Sequence, residues 1–308
     1  MDPHASVYVA GHRGMVGSAL VKRLRAAGHS RLVLRTREEL DLTRREAVEE
    51  FFLREKPGYV FLAAGRVGGI QANQASPADF IRDNLLIQTS VLHAAHRSGV
   101  KRLIFFAGSC LYPRECPQPM KEEAILTGPM EQTSEAYSTS KLAGYMMCEA
   151  YNRQYGTQFL TVIPATLYGP GDNFDPATSH VLSALIRRFH EQRRQSSVTV
   201  WGTGRPVREF LYVDDLAEAC VLLMDLPGPL PGAPINIGTG RGTSIKELAE
   251  SIAGLLGYRG SIQFDASKPD GAPIKVLDSS RIHSLGWASR TSLQDGLRRT
   301  YEWYLSRN

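Results

Sequence analysis

Residues 7–20 read VYVAGHRGMVGSAL: a short apolar run, a glycine-spaced turn, then a sequence that suits the opening of a helix. Gly11, Gly14 and Gly17 fall at the spacing G-x-x-G-x-x-G. Each has a physical reason to be glycine. Gly11 permits a tight turn, Gly14 lets a pyrophosphate approach the backbone, and Gly17 lets the helix lie close to the strand. The N-terminus of the following helix presents unpaired N–H groups and a positive dipole end to phosphate. Glycines also mark ordinary turns, but this pattern sits between a strand and a helix, the context that a dinucleotide site requires.

Working outward, residues 20–27 continue the helix and Gly28 ends it; residues 31–34 form a second short strand. In a dinucleotide fold the end of that strand meets the adenosine ribose, where an acid selects NAD and an arginine accommodates the 2′-phosphate of NADP. Here stand Arg35, Thr36 and Arg37, with Arg13 inside the glycine turn, so NADP is favoured and NAD stays possible. Asp41 and Leu42 precede a helix at residues 44–54, with Asp41 as its expected cap. Residues 59–63 and 101–106 are apolar strands of the kind buried in a parallel sheet. The small residues Ala63, Ala64 and Gly65 end the first of these, beside the expected cofactor. Helical periodicity marks residues 78–98 and 138–155, and a further strand runs over 159–163.

Strands alternating with helices predict an α/β fold, a Rossmann-like doubly wound parallel sheet over residues 1–167. After Pro164 glycine and proline punctuation increases, which predicts a smaller C-terminal α/β substrate-binding lobe over residues 168–308. A helix at residues 213–226 and a strand at 235–237 are expected to return to the first sheet, within residues 213–238.

The chain has 308 residues, 43% of them hydrophobic and 22% charged, the composition of an ordinary globular protein. Its net charge of +5 contains no long run of like charges, which argues against nucleic acid and suits an anionic cofactor and substrate. Four cysteines show neither a C-x-x-C pair nor a zinc-like cluster, so no metal is expected. With no signal peptide and no long apolar run, a cytoplasmic chain with reduced thiols and no membrane contact is expected.

The second chemical signal is Tyr137-Ser138-Thr139-Ser140-Lys141. Residues four apart on a helix share a face, and a lysine beside a phenol is expected to lower its pKa toward an acid/base working range. Tyr-x-x-x-Lys arises easily by chance; behind an N-terminal dinucleotide turn it reads as catalytic.

Together these motifs resemble the extended short-chain dehydrogenase/reductases. The longer stretches AGHRGMVGSAL, AAGRVGGI, PADFIRDNL, SCLYP, LYGPGDNF, SHVLSALIRRFHE, WGTGRPVREFLYVDDLA and FDASKPDGAP resemble the GDP-L-fucose synthase family, from about Val7 to the C-terminus. That family makes GDP-fucose from GDP-4-keto-6-deoxymannose by 3,5-epimerisation and NADPH-dependent reduction. The resemblance implies that Gly11, His12, Arg13, Gly14, Met15, Val16 and Gly17 bind the cofactor. Arg13 and Arg37 would take its 2′-phosphate, with Asp41, Leu42, Ala63, Ala64, Gly65, Pro164 and Leu167 beside it. Tyr137 would exchange a proton at carbon 4 with support from Lys141, which also meets the cofactor. Cys110 and His180 would be the epimerisation pair, His180 lying against the cofactor as well. Alone, Cys110 would more often be a small buried residue and His180 a loop histidine. Arg188, Trp201, Arg208 and Asp270 would surround the GDP-sugar, with Lys268 and Asp215 as neighbours. A homodimer through the helices at 78–98 and 138–155 is also implied.

The sequence departs from that family at Gly108, where a serine or threonine usually completes the Ser-Tyr-Lys triad; the hydroxyl stands at Ser109 instead. On an extended strand Ser109 would face the opposite way and could replace it only through a local bend. Pro164-Ala165-Thr166 replaces Pro-Thr-Asn, and Ile274 replaces an arginine. Two other readings therefore stay open: a GDP-mannose 5- or 3,5-epimerase that oxidises carbon 4 only transiently, and a non-catalytic NADP-binding protein.

Overall fold

Four consecutive apolar residues at 7–10 must be covered on both faces, and a parallel sheet flanked by helices does this. A computed structural model describes residues 1–308 apart from Ala177, Pro269 and Asn308. The chain runs β1 (Val7–Ala10), α1 (Met15–Ala26), β2 (Leu32–Val33), α2 (Arg45–Glu55), β3 (Tyr59–Leu62), α3 (Ile70–Ala75), α4 (Pro77–Arg97), β4 (Arg102–Phe106), α5 (Glu135–Tyr155) and β5 (Phe159–Pro164). It continues with β6 (Thr166–Tyr168), α6 (Val181–Glu191), β7 (Ser197–Trp201), β8 (Val207–Tyr212), α7 (Val213–Asp225) and β9 (Ile235–Ile237). Last come β10 (Gly242–Ser244), α8 (Ile245–Leu255), β11 (Ser261–Asp265), β12 (Ile274–Lys275), α9 (Ser280–Ser284) and α10 (Leu293–Leu305).

The main sheet is six-stranded and parallel throughout, in the order β2-β1-β3-β4-β5-β9. The order reverses between β1 and β3, so the glycine turn after β1 and Ala63-Ala64-Gly65 after β3 leave the sheet at one crevice, where open α/β sheets take their ligands. α1 packs on α7, while α2, α4 and α5 pack in a row. Right-handed crossovers put α1 on one face and α2, α4 and α5 on the other; α7, which returns from the second lobe before β9, lies on the face of α1. This is the doubly wound α/β sheet expected from the alternating runs.

A second apolar cluster lies away from this sheet. Leu182, Ile186 and Phe189 of α6 pack with Val198 and Val200 of β7, Phe210 and Tyr212 of β8, and Leu248 and Ile252 of α8. Its strands are short: β10-β8-β12 with β6 on β8, and the pair β7-β11.

The elements differ from the sequence reading in three places. β2 is two residues rather than four. α5 begins at Glu135, three residues early, because Glu131 accepts from Thr133 N–H and starts a 3-10 turn at Gln132–Ser134 that feeds the helix; Tyr137 therefore lies in its first turn. Asp41 does form a turn, accepting from Thr43 N–H at 3.0 Å, but α2 starts only at Arg45, so Asp41 is not its cap.

Candidate active site

The crevice is built on the glycine turn. Gly11 has φ +79°, and a Cβ there would lie 2.9 Å from the Ala63 carbonyl oxygen. At Gly17 a Cβ would come within 2.1 Å of the Gly11 carbonyl oxygen. Gly17 is buried and lies outside the crevice lining, so its part in the site is to let α1 close on the turn rather than to touch a ligand. Gly14 is different. Nothing in the protein would be closer to its Cβ than 3.5 Å, and it faces the crevice. The protein's own packing does not call for glycine there; a ligand lying on the backbone would. No side chain caps α1, which leaves its first N–H groups to an anion.

On the adenosine side the crevice holds about 890 Å³, lined by Gly11, His12, Arg13, Arg37, Asp41 and Leu42, with Ala63, Ala64 and Gly65 opposite. His12 Nδ1 is buried there without a hydrogen-bond partner. Arg35, also on the crevice wall, is paired with Glu55 at 2.8 Å. Arg13 and Arg37 remain exposed at the rim, both acting on the Glu38 carboxylate. Glu39 is folded back, accepting from Thr36 N–H at 2.7 Å. Glu38 and Asp41 line this end of the crevice as well, with Glu38 beside both arginines, so the cations here stand next to carboxylates. The donor set fits a phosphorylated dinucleotide.

Gly14, Ala63, Ala64 and Gly65 are shared with the second part of the crevice, of about 510 Å³. Here the structure brings together Met15, Val16, Tyr137, Lys141, Cys110, Ser109, Pro164, Leu167 and His180. The turn after β4 supplies Ser109 and Cys110, the first two turns of α5 supply Tyr137 and Lys141, and the residue before α6 is His180. Lys141 is buried, and its ammonium donates to the Phe106 carbonyl at 2.9 Å. Burial pushes its pKa down to about 8. Tyr137 is packed edge-on against Phe80. The expected lowering of its pKa is not found: burial, with the neighbouring Cys110 charge, pushes it upward. Lys141 lies 5.8 Å from the centre of the Tyr137 ring and is already bonded to a carbonyl. Burial thus favours the neutral phenol. Burial also pushes the Cys110 thiol up, opposed by Lys275, Lys141 and Ser138, and pushes His180 down, keeping the imidazole neutral.

The bend required of Ser109 is present. β4 ends at Phe106 and Ser109–Leu111 forms a 3-10 turn, so the alternation of a strand no longer governs these residues. Gly108 is extended at φ −177°, ψ 170°. A Cβ on it would meet only Cys110 Sγ, at 3.8 Å.

Arg188, Trp201, Arg208 and Asp270 lie beyond this crevice, in the second lobe. Arg188 and Lys268 stand 5.5 and 5.8 Å from the centre of the exposed Trp201 ring. Asp270 accepts from Thr203 N–H and Thr203 Oγ1, both at 2.7 Å. Arg208, its pKa lowered by burial, faces Glu131 and Asp270. β12 pairs with β8 so that Lys275 lies beside Arg208. A polar track thus runs from Cys110 through Lys275, Arg208 and Asp270 to Trp201. Lys275 and Glu131 were not singled out from the sequence, although Lys275 ends the KPDG-x-P-x-K segment. Asp215 is not part of the track. Its carboxylate accepts from Thr291 N–H and Oγ1, both at 2.9 Å, and anchors the segment before α10.

Among the described residues no cluster of His, Cys, Asp or Glu is placed to hold a metal ion, and no helix is long and apolar enough to cross a membrane.

The model of the NAD dependent epimerase/dehydratase family matches residues 7–238. Over 306 residues the chain is 53% identical to GDP-L-fucose synthase 1 of Arabidopsis thaliana, covering 99% of this chain and 94% of that protein. It is 50% identical over 308 residues to GDP-L-fucose synthase of Escherichia coli K12, covering 97% and 96%. It matches the solved structure of MlghC, a GDP-mannoheptose C4 reductase from Campylobacter jejuni with NADP bound, at TM-score 0.91 and 40% identity over 99% of both chains. The crevice, the Tyr137–Lys141 pair and these likenesses agree: the chain belongs to the NAD-dependent epimerase/dehydratase family and, within it, to the GDP-L-fucose synthases.

Proposed function

We propose that this protein is an NADPH-dependent GDP-sugar epimerase-reductase that converts GDP-4-keto-6-deoxymannose to GDP-L-fucose. One observation carries the reading: Cys110 and His180, a proton-transfer pair, line the same cleft as Tyr137 and Lys141. A reductase alone needs only the second pair.

Residues 1–167, with 213–238, would hold the cofactor, and 168–308 mainly the sugar nucleotide. The turn at Gly11–His12–Arg13–Gly14 and the N-terminus of α1 suit the pyrophosphate; Arg13 and Arg37 suit the 2′-phosphate. NADPH, when bound, supplies the hydride for the ketone carbon. The nucleotide and diphosphate would follow the track from Trp201 and Arg188 to Arg208, whose planar guanidinium matches paired phosphate oxygens.

The chain's own residues then divide the proton chemistry. Carbons 3 and 5 flank the ketone at carbon 4 and carry acidic protons. Burial keeps His180 neutral, able to take a proton, and Cys110 protonated, able to give one. Removal from one face and return on the other inverts the centre, and loss of the His180 proton to solvent with uptake of one by the Cys110 thiolate resets the pair before the second centre. The Tyr137 phenol, held protonated, stabilises the negative charge that collects on the carbon-4 oxygen and finally donates its proton there. Lys141 holds the Tyr137 ring and the Phe106 backbone in fixed relation.

α4 and α5 pack together and expose Leu86, Met146 and Tyr155, which supports a homodimer through these helices. Four free thiols suit a cytoplasmic protein. Incubation with GDP-4-keto-6-deoxymannose should consume one NADPH per sugar and give GDP-fucose; no consumption would reject the reading.

A further inference from the structure

Behind the cleft the second lobe reaches into the first. β12 is only two residues long, and its register against β8 fixes Lys275 beside Arg208. The residues after it are tied to the loop that follows Cys110. Met120 N–H donates to the Val276 carbonyl at 2.8 Å, Asp278 N–H to the Met120 carbonyl at 2.9 Å, and Val276 N–H to Gln118 Oε1 at 3.0 Å. At the other end of that loop Leu111 is fully buried beside Cys110, and the Tyr112 hydroxyl donates to Asn236 Oδ1 at 2.7 Å. Two sets of attachments therefore hold a lysine of the substrate-side sheet and a thiol of the cofactor-side cleft in fixed relation.

We propose that Lys275 is a positioning residue for Cys110, whose ammonium sets how readily the thiol releases and regains a proton. The proposal rests on Cys110 as a proton-transfer group. Its physical basis is that a desolvated thiolate forms only beside opposite charge. Cys110 is faced by Lys275 from β12 and by Lys141, Ser138 and Tyr137 from α5, and shares its cleft with His180, whose charged form burial disfavours. Of the two lysines Lys275 acts more strongly on the thiol, and the Lys141 ammonium is already bonded to Phe106. The groups that face Lys275 are Cys110, Arg208 and Glu131. Arg208 disfavours a second charge there, whereas the buried Glu131 carboxylate, whose Oε2 also lies 3.7 Å from Arg114 Nε, favours it. The second lobe thereby sets the reactivity of a group in the first.

The test is iodoacetamide alkylation from pH 7 to about 11.5, read for each cysteine by peptide mass spectrometry, on the wild type and on Lys275→Met, Lys275→Gln and Lys275→Arg. Half-buried Cys116 is the internal control, and fully buried Cys148 reports loss of fold. Losing an adjacent cation should move the Cys110 midpoint upward by about one pH unit or more in the Met and Gln variants. Cys116 should not move, and Lys275→Arg should retain the wild-type midpoint. An unmoved Cys110 midpoint in a folded variant overturns the proposal. So does exposure of Cys148 in both neutral variants, which would make Lys275 structural. Failure of the enzyme to turn over any GDP-sugar would reject the proposed function while leaving this readout intact.

Discussion

The Lys141 ammonium lies 2.9 Å from the Phe106 carbonyl, and that single bond ties the first turns of α5 to the C-terminal end of β4. It places Tyr137 over the crevice and carries a titration. Lys141 is charged below about pH 8 and loses its proton as pH rises through that value, because burial has lowered its pKa. A profile of kcat/KM for the ketone substrate from pH 6 to 10 should therefore show a falling limb centred near 8. A profile level to pH 10 would remove the Lys141 charge from catalysis.

Tyr137 should be separable from binding. Tyr137→Phe keeps the ring against Phe80 and removes only the donor. Loss of a general acid costs roughly 10²- to 10⁴-fold in rate. NADPH affinity, measured by fluorescence titration, should be unchanged; a variant that turns over at the wild-type rate would exclude Tyr137 as the proton donor.

Gly108 has room for a side chain and an ordinary extended backbone. Gly108→Ser should fold normally and quicken NADPH consumption with the ketone substrate by about tenfold or more, short of the hundredfold that one aligned donor is worth. A slower enzyme would mean that the substrate occupies the space that glycine leaves.

At Gly17 the opposite holds. A methyl group would meet the Gly11 carbonyl at 2.1 Å, so Gly17→Ala must push α1 from the turn. Overpacking of this kind costs roughly 1–3 kcal/mol, and urea unfolding should show it together with weakened NADPH binding. Unchanged stability would show that α1 has slack that this packing does not suggest.

Arg37 and Arg13 line the adenosine side of the crevice, both exposed and beside Glu38. Arg37→Ala should reduce the preference for NADPH over NADH by roughly tenfold, since a guanidinium binds phosphate through paired charged hydrogen bonds. A competition titration that gives the wild-type ratio would leave Arg37 without a part in selectivity.

The parallel sheet was legible because its strands are near-continuous apolar runs closed by glycine, as at residues 7–11 and 59–65. The strands of the second lobe were not, because β10 and β12 have three and two residues and exist only by pairing with β8. One local cue was available: Ser244 and Glu247 form a capping box that announces α8. In the site, the glycine turn and Tyr137–Lys141 could be read from spacing. Lys275 could not, since only strand register brings it to Arg208. The raised pKa of Tyr137 was hidden for a related reason: spacing shows a neighbouring lysine, while burial and the carbonyl that occupies that lysine are properties of the folded lobe.

The central claim is that one cleft both inverts and reduces. The most direct measurement is incubation with GDP-4-keto-6-deoxymannose and NADPH in deuterated water, with NADPH absorbance and product deuteration followed together. The expected result is GDP-fucose labelled at carbons 3 and 5, with one NADPH consumed per product. Inversion of GDP-mannose with no net NADPH loss, and no reduction of the ketone substrate, would contradict it.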